Sequence, residues 1–156
     1  MCDRAYHITG FGCTGEVCTN SRGENWVIGV DKPIADPAGV INDFQVRIQL
    51  PRTAGGLATS GNYRNFKVVN GKKIAHTIDP HTGYPIQTDV LSATIIAPTC
   101  MLADGLATAC MTRTAADVPA LIQNFPGVEY MLILGDEKTG FRTVMSPGFE
   151  RLILPD

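Results

Sequence analysis

Two polar clusters interrupt an otherwise apolar, weakly charged chain. One runs T-S-G-N-Y-R-N-F at 59–66 and H-T-I-D-P-H-T-G-Y-P at 76–85; the other is A-D-G-L-A-T-A at 103–109. The first gathers hydrogen-bonding side chains, a histidine and a carboxylate around turn-forming Gly and Pro. The second puts Asp104 and Thr108 four residues apart, a spacing that on a helix stacks both side chains on one face. A carboxylate and a hydroxyl are both hard oxygen ligands and suit a cation such as Mg²⁺. Together the clusters predict a metal-assisted site for a phosphate-bearing ligand. Two protein ligands fall short of the six that Mg²⁺ takes, so phosphate, water or a further protein group must complete the shell.

Each of these residues also has a plainer reading. Asp104 and Thr108 could be an exposed i,i+4 pair on an amphipathic helix, although their Ala, Leu and Gly neighbours are poor company for a solvated face. His76, at a strand-to-loop junction, could be a packed histidine bonded to backbone. Asp79 precedes Pro80, and an Asp in such a turn usually bonds its own backbone. A transition-metal site from His76, Asp79 and His81 is disfavoured because Pro80 constrains the backbone and no supporting partner is evident. Ser60-Gly61-Asn62 lacks the G-x-S-x-G frame of a hydrolase elbow and fits better a backbone nest that receives phosphate or a ring. Tyr63 and Phe66 either cover a ring system or pack in the core; Arg64 either pairs a phosphate or lies on the surface.

The elements that must position these groups can be read from periodicity and punctuation. Trp26–Val30 and Phe44–Leu50 alternate apolar and polar residues as half-buried strands do, and Leu57–Ser60 forms a short strand leading to Gly61. Asn70-Gly71 between Asn65–Val69 and Lys73–Ile78 is a hairpin signal. Asp79–Pro85 is a loop, punctuated by Asp-Pro, Thr-Gly and Tyr-Pro. Leu91–Ala97, rich in β-branched residues, reads as a buried strand that Pro98 ends. Thr99–Thr112 is the best helix, with Leu102, Leu106, Ala109 and Cys110 lining one side and Gly105 weakening it by about 1 kcal/mol relative to Ala. Asp117–Phe125 is a second, shorter helix with Asp117 as its cap and Pro119 in its first turn. Tyr130–Leu134 and Phe141–Met145 close the chain as a hairpin around Asp136–Gly140. The tally of about eight strands and two late helices predicts an α+β fold with a mainly antiparallel sheet.

At 156 residues the length fits one domain, 1–156, with enough chain to bury a core. Hydrophobic residues make up 44% and charged residues 18%, which argues against disorder. The net charge of −2 supplies no basic field for nucleic acid. No apolar run reaches the roughly 18 residues a membrane span needs, and no basic-then-apolar leader precedes the fold. The cysteines at 2, 13, 18, 100 and 110 are odd in number and form no C-x-x-C pair, so buried or idle thiols are favoured over a zinc knuckle or a disulfide framework. Residues 1–17, with Gly10, Gly12 and Gly15 and no cap or clear strand, read as the start of something cut from a longer chain.

The order T-S-G-N-Y-R-N-F, then G-K-K-I-A-H-T-I-D-P-H-T-G-Y-P, then L-S-A-T-I-I-A-P-T-C-M-L-A-D-G-L-A-T-A resembles the ApbE family of FAD:protein FMN transferases. G-E-V and G-E-N-W-V-I-G-V-D-K-P within 15–33 are similar to the family's Gly-Gly-acidic strand and the Trp strand after it. The resemblance covers about residues 5–150. It implies an α+β fold related to the tunnelling fold, with helices on one face of the sheet. It also implies Mg²⁺-dependent cleavage of FAD and transfer of FMN to a Thr or Ser hydroxyl of an acceptor flavoprotein. Carried onto this sequence, it makes Asp104 and Thr108 the metal ligands and His76 the histidine beside the flavin phosphates, with His76 and Asp104 the catalytic pair. Glu16, Ser60 and Gly61 join His76 at the flavin nucleotide. The expected location is the periplasm or cell envelope of a bacterium.

Several features depart from the family pattern. Thr14-Gly15 replaces Gly-Gly, Gly105 stands where Ala is usual, Met1-Cys2 is not a lipoprotein leader, and the family's Lys-Gly-type segment with its further metal ligand is not in this sequence. The chain is therefore expected to be the C-terminal half of an ApbE-type protein, truncated at the N-terminus and incomplete for activity. The alternatives are a non-catalytic flavin-nucleotide-binding or partner-docking fragment, and an FAD pyrophosphatase.

Overall fold

The computed structural model describes residues 22–32, 44–52, 54–61, 66–69, 72–75, 78–79, 82–86, 88–136 and 140–155, with the backbone alone at 66–69, 72–75 and Asp136. In chain order the elements are β1 (Val27–Asp31), β2 (Phe44–Gln49), β3 (Gly56–Gly61), β4 (Phe66–Val69), β5 (Lys72–Ala75), β6 (Val90–Ala97), α1 (Cys100–Cys110), α2 (Val118–Ile122), β7 (Glu129–Asp136), β8 (Gly140–Met145) and α3 (Pro147–Glu150). The α+β class and the antiparallel character match the expectation. Among the described residues every strand pairing is antiparallel.

The centre is a four-stranded sheet in the order β3-β6-β7-β8. Its two inner strands, V-L-S-A-T-I-I-A and E-Y-M-L-I-L-G-D, are nearly continuous apolar runs. Such runs are what a strand covered on both faces requires, because neither side of its pleat meets water. One face carries Ala58, Ala93, Ile95, Tyr130 and Leu132 and packs against Ala103, Leu106, Ala107 and Cys110 of α1 and Val118 and Ile122 of α2. The other carries Leu57, Ile96, Met131 and Ile133 and packs against Ile28 and Val30 of β1, Ile48 of β2 and Phe149 of α3. The β1–β2 pair thus lies over the second face. The outer edge of β2 is closed by the C-terminal segment, where Gln49 N donates to Leu152 O at 2.9 Å and Leu154 N donates to Arg47 O at 2.8 Å.

Helix α1 starts where local chemistry dictates. Pro98 ends β6, and Thr99, extended at φ −139° and ψ 152°, accepts a hydrogen bond from Leu102 N on its side-chain oxygen at 3.2 Å. That satisfies one of the orphan amides of the first turn. Thr99 is thus the cap rather than the first helical residue, and the helix closes at Cys110 rather than Thr112. The buried stripe is Ala103, Leu106, Ala107 and Cys110, rotated from the expected Leu102, Leu106, Ala109 and Cys110. Small side chains on that stripe let the helix approach the sheet, and Leu102 packs only at its margin.

Other expectations need correction. The second helix is shorter than Asp117–Phe125, and Asp117 makes no side-chain cap bond; its carboxylate instead accepts from Thr114 Oγ1 at 2.6 Å. The two expected helices share one face, but α3, which was not expected, lies on the other. Its signal was Ser146-Pro147: Ser146 caps with its oxygen, accepting from Phe149 N, and Pro147 occupies the first turn. The hairpin strands β4 and β5 pair with Val69 opposite Lys72; the Asn70-Gly71 turn itself lies outside the described residues.

The tightest contact between α1 and the sheet is at Gly56. A Cβ there would stand 2.5 Å from both the backbone N and Cα of Cys100, while one at Gly55 would overlap the carbonyl oxygen of Pro98. Backbone atoms cannot swing aside as a side-chain end can. Gly56→Ala should therefore force α1 outward and cost about 1–3 kcal/mol of stability, the range for overpacking a tight interior. Gly105, exposed within the same helix, has nothing within 4 Å of a Cβ position. Gly105→Ala should stabilise by up to about 1 kcal/mol through helix propensity. Urea unfolding of the two variants checks the opposite signs.

Burial also shifts two acidic groups in this core. Desolvation pushes the Cys110 thiol up from 9.0 to about 11, against the opposing pull of Arg113. It raises the Tyr130 hydroxyl too, with Cys110 and Glu129 adding to the effect. A group whose folded pKa lies above its unfolded value keeps its full stabilisation below the unfolded pKa and loses it on rising through the folded one. The urea midpoint should therefore fall as pH climbs from 9 to about 11. Cys110→Ala should flatten that fall; an unchanged slope would contradict the assignment to Cys110.

Candidate active site

The two polar clusters of the sequence meet along the seam between α1 and β3. From Cys100, beside Gly56, to Thr108 the helix advances roughly 12 Å. From Gly56 to Ser60 the strand advances roughly 13 Å. The two elements therefore keep pace, and the contact that begins with Cys100 at Gly56 ends with Thr108 at Ser60. There Ser60 Oγ and Thr108 Oγ1 stand 3.3 Å apart in a hydrogen bond across 48 residues of sequence. The pleat selects Ser60 for this role, since Gly56, Ala58 and Ser60 fall on one face of β3, the face on which Ala58 packs with α1.

Asp104 lies one turn before Thr108. Both are exposed, and Ser60 is half-buried. Residues i and i+4 of a helix have Cβ atoms about 5–6 Å apart, so a carboxylate and two hydroxyls stand on one rim of the domain. The i,i+4 pair is thus neither buried nor a fully solvated helix face, because one member is bonded to the strand beside it.

Ser60 and Gly61 are the last residues of β3, opposite Ala93 and Ser92 of β6. The expected strand Leu57–Ser60 is present and extends to Gly61, so these two residues are paired strand rather than part of a nest. A nest needs alternating helical and left-handed backbone, whereas Ser60 and Gly61 run in the β-ladder. On the opposite face of the same strands, Thr59 Oγ1 and Thr94 Oγ1 form a hydrogen bond of 2.9 Å. Thr94 and Ser92 are buried. The sequence reading missed this hydroxyl pair, whose only signal is the polar Thr and Ser set within an apolar strand. It fixes β3 against β6 at the residue next to Ser60.

The described residues 78–79 and 82–86 bond to one another. Asp79 N donates to Tyr84 O at 2.9 Å, Gly83 N donates to Asp79 O at 2.8 Å, and Thr82 Oγ1 donates to Asp79 Oδ2 at 3.1 Å. The Asp79 carboxylate thus accepts from a threonine side chain within its own turn. Gly83 takes φ +72°, and Tyr84 is 75% exposed. His76, His81, Glu16, Asn62, Tyr63 and Arg64 lie outside the described residues, as does the side chain of Phe66.

The chemistry of the donor set decides what it can hold. Among the described residues no three His, Cys, Asp or Glu side chains come together. Asp104, Thr108 and Ser60 offer hard oxygens only, which fit Mg²⁺ and not a soft or borderline metal. They also leave most of a six-ligand shell to phosphate, water or other residues. The shifted groups Cys110 and Tyr130 belong to the core beneath α1 and are not part of this rim. Cys100, at the start of α1, donates to Gly55 O at 3.6 Å. Among the described residues no helix is long and apolar enough to cross a membrane.

A sequence model of the ApbE family matches residues 10–132. The FAD:protein FMN transferase of Salmonella typhimurium is 34% identical over 137 residues, a stretch that covers 88% of this chain and 37% of that protein. Among solved structures, the ApbE protein of Thermotoga maritima aligns with a TM-score of 0.67 at 32% identity, covering 86% of this chain and 40% of the other. The apo flavinyl transferase ApbE of Pseudomonas stutzeri aligns with a TM-score of 0.65 at 29% identity, covering 90% and 42%. The chain thus spans well under half the length of each of these relatives.

Proposed function

The chain belongs to the ApbE family, and on that premise we propose that it forms the C-terminal, metal-holding part of a transferase that moves FMN from FAD to a Thr or Ser hydroxyl of an acceptor protein. The observation that carries this reading is the Ser60–Thr108 bond. It joins the T-S-G strand to the A-D-G-L-A-T helix and gathers hard oxygen donors on one rim, as binding of a Mg²⁺–pyrophosphate unit requires. The names of the Salmonella and Pseudomonas relatives support flavin transfer as the reaction.

In this reading Asp104 supplies the charged metal ligand and Thr108 a neutral one. His76 and Asp104 act as the catalytic pair. Glu16, Ser60, Gly61 and His76 line the nucleotide. When bound, Mg²⁺ neutralises charge developing on the pyrophosphate. The acceptor hydroxyl attacks the FMN phosphorus of FAD in line, a phosphoester bond forms, the pyrophosphate bond breaks, AMP leaves with the electron pair, and the hydroxyl proton is released to water. The rim position fits this chemistry, because a protein acceptor must reach the phosphorus from outside. The periplasm or cell envelope is the proposed location.

The test is incubation with FAD, Mg²⁺ and an acceptor peptide, read as in-gel flavin fluorescence. We expect transfer by a version extended at the N-terminus and none by residues 1–156 alone. Release of FMN and AMP without labelling of the peptide would instead identify a pyrophosphatase. In the extended protein, Asp104→Ala should abolish Mg²⁺-dependent FAD binding with the fold intact, because the side chain is exposed. Thr108→Val should weaken binding less, since it removes a neutral ligand. Unchanged FAD affinity in Asp104→Ala would defeat the metal assignment.

A further inference from the structure

The geometry points to Ser60 as a positioning residue that acts through Thr108: it accepts the Thr108 hydroxyl proton and so turns the Thr108 lone pairs toward the cation. This inference rests on the proposed assignment of Thr108 as a metal ligand and adds a role for Ser60 distinct from contact with the nucleotide. A threonine hydroxyl has one proton and two lone pairs. A cation on Thr108 Oγ1 takes a lone pair and repels the proton, which then needs an acceptor on the side away from the metal. Ser60 Oγ stands 3.3 Å from Thr108 Oγ1, and the separation alone allows either atom to donate. The cation removes that ambiguity: Thr108 donates and Ser60 accepts.

Two further features make Ser60 suited to hold a rotor rather than drift with it. Its backbone is fixed in the ladder opposite Ala93, and its neighbour Thr59 is tied across the other face to Thr94 at 2.9 Å. Groups behind a metal ligand that orient it in this way typically change metal affinity by about 10–100-fold when removed. A hydroxyl-to-hydroxyl bond at the rim belongs at the lower end.

The experiment is a double-mutant cycle on the protein as its gene encodes it. The readout is the Mg²⁺ concentration that half-saturates FAD binding, followed by flavin fluorescence, with urea unfolding alongside. Ser60→Ala should raise the Mg²⁺ midpoint about 10-fold while the urea midpoint stays in place. Thr108→Val should raise it by at least as much. In the double variant, the Ser60→Ala step should add nothing beyond about 2-fold, because the hydroxyl it orients is gone. If Ser60→Ala keeps its full effect in the Thr108→Val background, Ser60 works by direct contact with the nucleotide and the inference fails, while the metal assignment stands. If Ser60→Ala is silent and Thr108→Val is not, the inference fails in the same way. If Thr108→Val leaves the Mg²⁺ midpoint unchanged, Thr108 is not a ligand, and the assignment and the inference fall together.

Discussion

The close approach of helix α1 to strand β3 is the constraint on which the rest of the molecule depends. It is set by backbone against backbone at Gly56 and Cys100 and continued by Ala58, Ala103 and Ala107. Small side chains at such a seam sacrifice buried apolar area, at roughly 25 cal/mol for each Å² not removed from water. What they gain is distance: a helix lying on glycine and alanine sits closer to its sheet than one lying on leucine. Larger residues make up the lost area in the same core, to which α1 contributes Leu106 and the sheet Ile95 and Leu132. The rim alone is kept thin. Only there must two hydroxyls, one from each element, come within hydrogen-bonding distance.

The sheet holds this seam in place because it is covered on both sides. Strands β6 and β7 bury side chains against α1 and α2 on one face and against β1, β2 and α3 on the other. A one-residue slip of β3 against β6 would exchange its faces, sending Ser60 to the side of Leu57 and Thr59 to the side of α1. Two features oppose that slip. The apolar pattern of both faces would be spoiled, and the Thr59–Thr94 hydroxyl pair would lose its partner in a buried setting, where an unmade bond is costly. The half-buried Thr59 and the buried Thr94 are therefore best understood as a register pin for the residue beside them.

Much of this was legible in the sequence, and what was hidden has physical reasons. The inner strands were visible because double burial demands continuous apolar runs. The α1 helix was visible from Pro98, Thr99 and the period of Leu and Ala, and the i,i+4 spacing of Asp104 and Thr108 follows from helix geometry alone. The rotation of its buried stripe was not visible, because Leu102 outweighs Ala103 in any hydrophobic scale while packing at the seam prefers the smaller residue. The short helix α3 was overlooked although Ser146-Pro147 announces it, since four residues give no periodicity to read. The Ser60–Thr108 contact lay furthest out of reach. It joins positions 48 residues apart and depends on the register of β3, the exit angle of β6 and the cap at Thr99 all at once. Sequence spacing fixes contacts within an element, whereas contacts between elements depend on how backbones pack.

The placement of the charged member of the cluster follows from the same economy of burial. A carboxylate taken fully into the core would meet a large desolvation penalty and would respond by binding a proton. At the rim Asp104 is exposed on α1, so its carboxylate keeps its contact with water. The neutral hydroxyl of Ser60 tolerates partial burial at lower cost, and it lies half-buried where strand and helix meet, bonded to the exposed Thr108. An exposed carboxylate with the half-buried group a neutral hydroxyl is thus the arrangement that the energetics of burial favour. It leaves the Asp104 carboxylate and the Thr108 hydroxyl open to solvent on one helix face, with Ser60 at the seam beside Thr108.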